Sequence, residues 1–167
     1  ICLSVKLRSG FVSSEETSEI VKQICGVGVS WLLFHFRTVS ENYLPLERKE
    51  ALRRISAAVV CAGKVPVFGN GDVLTVEDAR LMRQETACAG VAVGRGFLRN
   101  PFLLKEIRGF DSEPDARKQF LNELLARAEN GSGDIKYDFY VECIKMAYGK
   151  ESEEFKSVIR KRAELYS

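Results

Sequence analysis

The sequence predicts an α/β protein: the C-terminal half of a (β/α)8 TIM barrel over residues 1–100, then an all-α helical bundle over residues 101–167. Three observations predict it. Short apolar runs alternate with helix-like segments through the first part of the chain. Two consecutive runs end in glycine-rich turns, Gly69-Asn70-Gly71-Asp72 and Gly94-Arg95-Gly96. Strand signals then stop at Asn100-Pro101.

The apolar runs are Cys2–Leu7, Trp31–Phe36, Val65–Phe68 and Gly90–Val93. They are mostly continuous rather than alternating, which suits parallel strands covered on both faces. Between them, Ser14–Cys25, Leu46–Ala62 and Thr75–Thr86 read as helices. Thr75 and Asp78 have capping-box spacing, with Val76, Ala79, Leu81 and Met82 as the apolar stripe. Strand and helix recur every ~25–35 residues, the size of a βαβ unit, and right-handed crossovers make such strands parallel. Asn100 suits an N-cap and Pro101 a first helical residue. Beyond them Pro101–Ile107, Glu113–Glu129, Asp134–Tyr148 and Glu151–Tyr166 read as helices. Gly109, the Asn130-Gly131-Ser132-Gly133 loop and Gly149 punctuate them.

Composition narrows the class. Hydrophobic residues make up 46% of 167, enough for a packed core. A net charge of +2 is too small to announce a nucleic-acid protein, so any basic surface must be local. No apolar stretch is long enough to span a bilayer. The five cysteines, Cys2, Cys25, Cys61, Cys88 and Cys143, form no C-x-x-C pair. Neither a disulfide framework nor a zinc site is expected, and a reducing cytoplasm fits best. One histidine, His35, is too few for a His-based metal site. The chain opens on Ile1 directly into an apolar run, which reads as a fragment or a processed chain.

The two glycine turns follow consecutive strands, at the carboxyl ends where α/β proteins place ligands. Glycine permits positive φ and close approach of backbone N–H groups to an anion. Each turn alone reads as a tight βα connection. The pair, with Asn70 and Arg95 inside it, points to a phosphate site. It also favours strands seven and eight of a barrel over a doubly wound sheet. Ser4, Lys6 and Arg8 share one face of the first strand. Lys6 is either a strand-edge charge or a cation aimed into a barrel mouth at an anionic partner. His35, between Phe34 and Phe36, reads first as a satisfied core histidine and second as a donor to a bound ligand. Arg37 is a strand-end charge or a contact to an anionic substrate. In the tail, Lys156, Arg160, Lys161 and Arg162 cluster among Glu151, Glu153, Glu154 and Glu164. Residues alone favour a solvated charged face there over a phosphate-contacting patch.

Taken in order, these segments resemble the tRNA-dihydrouridine synthase family. Val5-Lys6-Leu7-Arg8-Ser9-Gly10-Phe11 is similar to its Val-Lys-x-Arg-x-Gly-Trp, and His35-Phe36-Arg37-Thr38 to its His-Gly-Arg-Thr. Val65-Pro66-Val67-Phe68-Gly69-Asn70-Gly71-Asp72 is close to Ile-Pro-Val-Ile-Gly-Asn-Gly-Asp. Cys88-Ala89-Gly90-Val91-Ala92-Val93-Gly94-Arg95-Gly96 matches Cys-Asp-Gly-Val-Met-Ile-Gly-Arg-Gly, and Asn100-Pro101-Phe102 resembles the Asn-Pro-Trp that follows. The resemblance covers Ile1 to about Ile107 well and the tail loosely.

The resemblance implies an FMN-binding barrel joined to a helical domain that grips tRNA. Lys6 would contact the flavin pyrimidine and His35 the FMN. Asn70, Gly71 and Asp72, with Gly94 and Arg95, would hold the ribityl phosphate. Arg37, Lys156, Arg160, Lys161 and Arg162 are the candidate tRNA contacts. The implied reaction reduces the C5=C6 bond of a tRNA uridine: NADPH reduces FMN, hydride passes to C6, and a cysteine acid protonates C5. The uridine must first leave its stack. The family's cysteine sits in an Asn-x-Gly-Cys-Pro loop on an earlier strand; no such loop occurs here, so none of the five cysteines inherits the role. The chain alone is therefore expected to be inactive, its N-terminal half-barrel being the missing partner. Phe36 replaces a glycine, which is expected to narrow the pocket. Val39 stands where a basic residue often follows Thr38, and within Ser40–Pro45 only Tyr43 partly replaces the usual loop. Two other functions stay open: a different FMN-barrel oxidoreductase, such as a dihydroorotate or ene reductase, and a non-catalytic RNA-binding module.

Overall fold

A computed structural model describes residues 1–113, 115–129 and 137–165. The chain divides into two compact units, Ile1–Gly94 and Arg95–Ser167.

In the first unit, β1 (Ser4–Arg8), β2 (Trp31–His35), β3 (Val67–Asn70) and β4 (Gly90–Ala92) form one parallel sheet in sequential order. Register fixes the two faces. Val5 and Leu7 align with Leu32 and Phe34, which align with Val67 and Gly69. Helices cover this face: Leu32 and Phe34 are fully buried, and a Cβ on Gly69 would meet Met82 and Ile55. The other face carries Ser4, Lys6 and Arg8 beside Trp31, Leu33 and His35, then Phe68 and Asn70. Trp31 and Phe68 meet edge to face there, with centroids 5.4 Å apart.

The third strand begins two residues later than its apolar run because Pro66 has no N–H to give a ladder. Its carbonyl accepts from the Leu32 N–H at 2.9 Å, and the Val65 N–H is used by Ala62 O in the preceding turn. A 3-10 turn, Ser14–Glu16, precedes α1 (Thr17–Gly26). Then α2 (Arg48–Ala62) buries Ala51, Arg54, Ile55, Ala58 and Ala62 on one side. As the sequence predicts, α3 (Val76–Thr86) opens on the Thr75–Asp78 capping box.

The second unit contains α4 (Arg95–Arg99), α5 (Leu103–Ile107), α6 (Ala116–Glu129), α7 (Tyr137–Tyr148) and α8 (Glu153–Leu165). The helical pattern starts at Arg95, before the expected Asn100-Pro101 boundary. Asn100 instead ends α4, accepting the Phe102 N–H on its side-chain oxygen at 3.0 Å, and Phe102 is the cap of α5. Leu98 belongs with the helices because it packs on their core of Leu121, Leu124, Tyr137, Tyr140, Val141, Cys143 and Ile144. The Asn130-Gly131-Ser132-Gly133 loop and the expected helix start at Asp134 lie outside the described residues, as does Tyr166. Among the described residues, no helix is long and apolar enough to cross a membrane, and no cluster of His, Cys, Asp or Glu has metal-binding geometry.

Candidate functional site

The carboxyl ends of the four strands gather the unit's polar side chains. Arg8, His35 and Asn70 stand side by side in register, with Lys6 one step back on the same face. Asn70 and Ala92 are also in register, and the Asn70 side-chain amide donates to Ala92 O at 2.9 Å. The Gly71 and Gly94 turns therefore leave neighbouring strands at one level. Gly71 has φ +119°, and a Cβ there would run into the Phe36 ring. Gly94 faces open space, with nothing within 4 Å of where a Cβ would stand. Among the described residues, neither glycine N–H makes a backbone or side-chain hydrogen bond. Two such N–H groups on adjacent strands can be offered to an anion.

His35 is buried, and its Nδ1 accepts the Arg37 N–H at 3.1 Å. That bond places the ring proton on Nε2, so the ring is a neutral donor. Burial depresses its pKa from 6.5 to about 4, helped by the charges of Arg8, Arg37 and Lys6 and opposed by Asp72. The burial expected of a core histidine and the position expected of a ligand contact thus coexist.

Arg37 is 3% exposed. Its Nε donates to Leu44 O at 2.7 Å and one Nη to Asp72 at 2.6 Å, while Nη1 is buried without a hydrogen-bond partner. Burial makes Arg37 an organiser of the Asp72 turn more than a displayed cation. Asp72 itself has φ +49° and an acceptor-only carboxylate, so anything it gives a phosphate must come from its backbone. Phe36 lies against Gly71 and lines a cavity of about 220 Å³ with Leu46, Leu52, Gly71, Asp72, Leu81 and Met82.

Two arginines at this rim have partners that the sequence does not reveal. Arg8 donates to Thr38 O at 2.8 Å and Asn42 O at 3.2 Å. Arg54, from α2, grips Glu41 through two nitrogens at 2.7 and 3.0 Å, Glu50 at 2.7 Å, and Phe36 O at 3.1 Å. Only a helical arginine facing inward would have marked it, and a charge within Arg53-Arg54 reads as solvent-facing.

Arg95 opens α4 and belongs to the second unit, as do the tail cations. On α8, Lys156 and Arg160 approach Glu153 at 3.4 and 3.7 Å, and Arg162 pairs with Asp138 at 2.7 Å. The first unit's four cysteines lie at the end of the sheet away from the site. Cys2 precedes β1, Cys25 and Cys61 close helices, Cys88 precedes β4, and Cys143 sits in α7.

A sequential parallel sheet with helices packed on one face defines an α/β protein. The chain belongs to the dihydrouridine synthase (Dus) family, whose model matches residues 1–157. It is 38% identical over 112 residues to the probable tRNA-dihydrouridine synthase of Treponema pallidum (strain Nichols), covering 65% of this chain and 32% of that protein. It is 38% identical over 108 residues to the probable tRNA-dihydrouridine synthase of Aquifex aeolicus (strain VF5), 65% and 33% respectively. It is 36% identical over 115 residues to the tRNA-dihydrouridine(16) synthase of Cupriavidus necator, 68% and 34%. The matched region spans about a third of the length of these curated relatives.

Proposed function

We propose that this chain supplies strands five to eight of an FMN-binding barrel, over residues 1–100, and a tRNA-gripping helical domain, over residues 101–167. The enzyme so formed reduces a tRNA uridine to 5,6-dihydrouridine in the cytoplasm, with NADPH as reductant. The observation that carries this is the in-register pair Asn70 and Ala92, which sets the Gly71 and Gly94 N–H groups on adjacent strands.

The residues present fit the cofactor. The charges of Lys6, Arg8 and Arg37 converge on His35, and Arg37 Nη1 is a buried donor with no partner, so the rim favours an anion. The backbone at Asn70, Gly71, Asp72 and Gly94, with Arg95, would hold the phosphate. Lys6 would face the flavin pyrimidine, and His35 would donate from Nε2. When bound, FMN supplies the hydride. Arg37 would hold the Asp72 turn in shape beside the tRNA path, and Lys156, Arg160, Lys161 and Arg162 would contact tRNA phosphates.

No cysteine here serves as the acid. Cys2, Cys25, Cys61 and Cys88 sit at the amino ends of strands or the carboxyl ends of helices, opposite the site, and Cys143 is in the other unit. The chain alone therefore forms no dihydrouridine, and its missing half-barrel would carry that group.

The test is quenching of FMN fluorescence on titration with the protein, alongside a tRNA gel shift. Gly94→Val has room to fold yet intrudes on the phosphate approach, so it should weaken FMN binding with circular dichroism unchanged. FMN affinity equal to that of the unsubstituted chain would refute the placement. FMN uptake with no tRNA shift at low salt would favour another FMN-barrel reductase.

A further inference from the structure

We infer that Phe36 is a positioning residue for the FMN phosphate: its ring is the floor on which the turn Asn70-Gly71-Asp72 rests. This deepens the flavin reading above and rests on it.

The turn needs outside support. Gly71 and Asp72 are consecutive residues at positive φ, +119° and +49°. Glycine takes that conformation freely, but an aspartate pays for it sterically and stays there only where its surroundings hold it. The turn's use as an anion cradle depends on that shape, because the shape decides where its N–H groups face.

Phe36 reaches all three residues of the turn. Its own N–H donates to Asn70 O at 3.4 Å, carrying the ladder one step past β2. Its ring lies directly against Gly71: the three atoms nearest to where a Gly71 Cβ would stand are Cε1, Cδ1 and Cζ of Phe36. Asp72 is reached through one intermediate. The Arg37 guanidinium carbon lies 4.8 Å from the Phe36 ring centroid, and the same guanidinium donates to Asp72 at 2.6 Å. The ring therefore steadies the cation that holds the end of the turn. The His35 ring is also a neighbour, with centroids 5.2 Å apart and planes inclined at 33°.

The floor is itself anchored. Phe36 is 2% exposed, and its carbonyl accepts from Arg54 Nη1 at 3.1 Å. Size is matched across the contact, with a large ring at 36 and no side chain at 71. Phe36, Gly71 and Asp72 all border the cavity of about 220 Å³. Shortening Phe36 would enlarge that cavity, and surrounding structure relaxes only partly into such a space. The turn would then be free to leave its cradle shape, and phosphate binding would have to order it again.

The experiment compares FMN with riboflavin, which lacks the phosphate, by flavin fluorescence on the unsubstituted chain, Phe36→Leu and Phe36→Ala. Phe36→Ala should lower FMN affinity about tenfold and leave riboflavin affinity unchanged, so the preference for FMN falls by the same factor. Phe36→Leu keeps part of the volume and should lie between. Without any flavin, the amide resonances of Gly71 and Asp72 should move in Phe36→Leu while that of Gly94 stays. An undiminished FMN preference in folded variants, an equal loss for both flavins, or unmoved Gly71 and Asp72 amides overturns the role of Phe36 alone. An unsubstituted chain that binds neither flavin overturns it together with the flavin reading.

Discussion

Replacing Arg54 by methionine should cost the first unit about 2–3 kcal/mol. Arg54 is 8% exposed and makes four bonds: two to Glu41, one to Glu50 and one to Phe36 O. Removing one side of a buried ion pair costs about 3–5 kcal/mol, because the partner charge remains desolvated. Here Glu41 and Glu50 keep side-chain exposures of 28% and 30%, so water recovers part of the loss. Phe36 O, buried under the rim, recovers less. Methionine fills a similar volume, which keeps packing out of the measurement. The assay is urea unfolding followed by fluorescence of Trp31, the chain's one tryptophan, which lies in β2 and so reports this unit. A double-mutant cycle with Glu41→Gln should give a coupling of about 1–2 kcal/mol. There is a pH signature too. The Arg54 hydrogen bond is the main reason the Glu41 carboxyl sits below its usual 4.5. A depressed acid stabilises the fold above its unfolded pKa and loses that contribution as pH falls through the folded value. Arg54→Met should therefore flatten the acid limb of the stability profile below about pH 4.5. A loss under about 0.5 kcal/mol, or a coupling indistinguishable from zero, would refute the claim that Arg54 anchors this loop.

Other expectations follow from single observations. His35 binds its proton near pH 4 when folded and 6.5 when unfolded, so the unfolded chain takes up the proton first on acidification. Its contribution is full above pH 6.5 and drains away toward pH 4; at pH 5 the loss is about 2 kcal/mol, absent in His35→Gln. Identical urea midpoints for both proteins across that range would exclude a buried neutral ring. Gly71→Ala combines a positive φ with collision against Phe36 and should cost about 2–4 kcal/mol; an unchanged unfolding midpoint would mean the turn is not held as described. Thr75→Ala removes the side-chain bond to the Asp78 N–H at 3.1 Å and should cost about 1 kcal/mol. Slower amide exchange at Asp78 in that variant would contradict the cap.

The sheet was legible in the sequence because apolar runs and glycine turns are local signals. Even so, Pro66 moved β3 along the chain, since a residue without an N–H cannot begin a ladder that needs one. The Thr75 cap was legible for the same reason: both partners lie within one turn of helix. Of the candidate site, the sequence marked Lys6, His35, Arg37, Asn70 and the Gly71 and Gly94 turns, all placed at strand ends by local pattern. The roles of Arg8 and Arg54 were not legible, because their partners lie 30 and 13 positions away. Nor could residue type say that Arg37 is buried; that follows from Leu44 and Asp72 closing over it. Arg95-Gly96 reads as turn in the sequence, whereas Leu98, packing on the core of the helical unit, draws the segment into a helix.

The sheet's neighbour relations have a consequence for how the chain is made. Among the described residues the three pairings each join strands consecutive in sequence, so none of the three waits for a distant segment. Each closure spans a comparable, modest length of chain, and its entropic cost recurs rather than accumulates. As the polypeptide is synthesised, β2, β3 and β4 would each emerge after the strand with which it pairs. Growth would proceed by accretion at a single advancing margin, and the order of synthesis would double as the order of assembly.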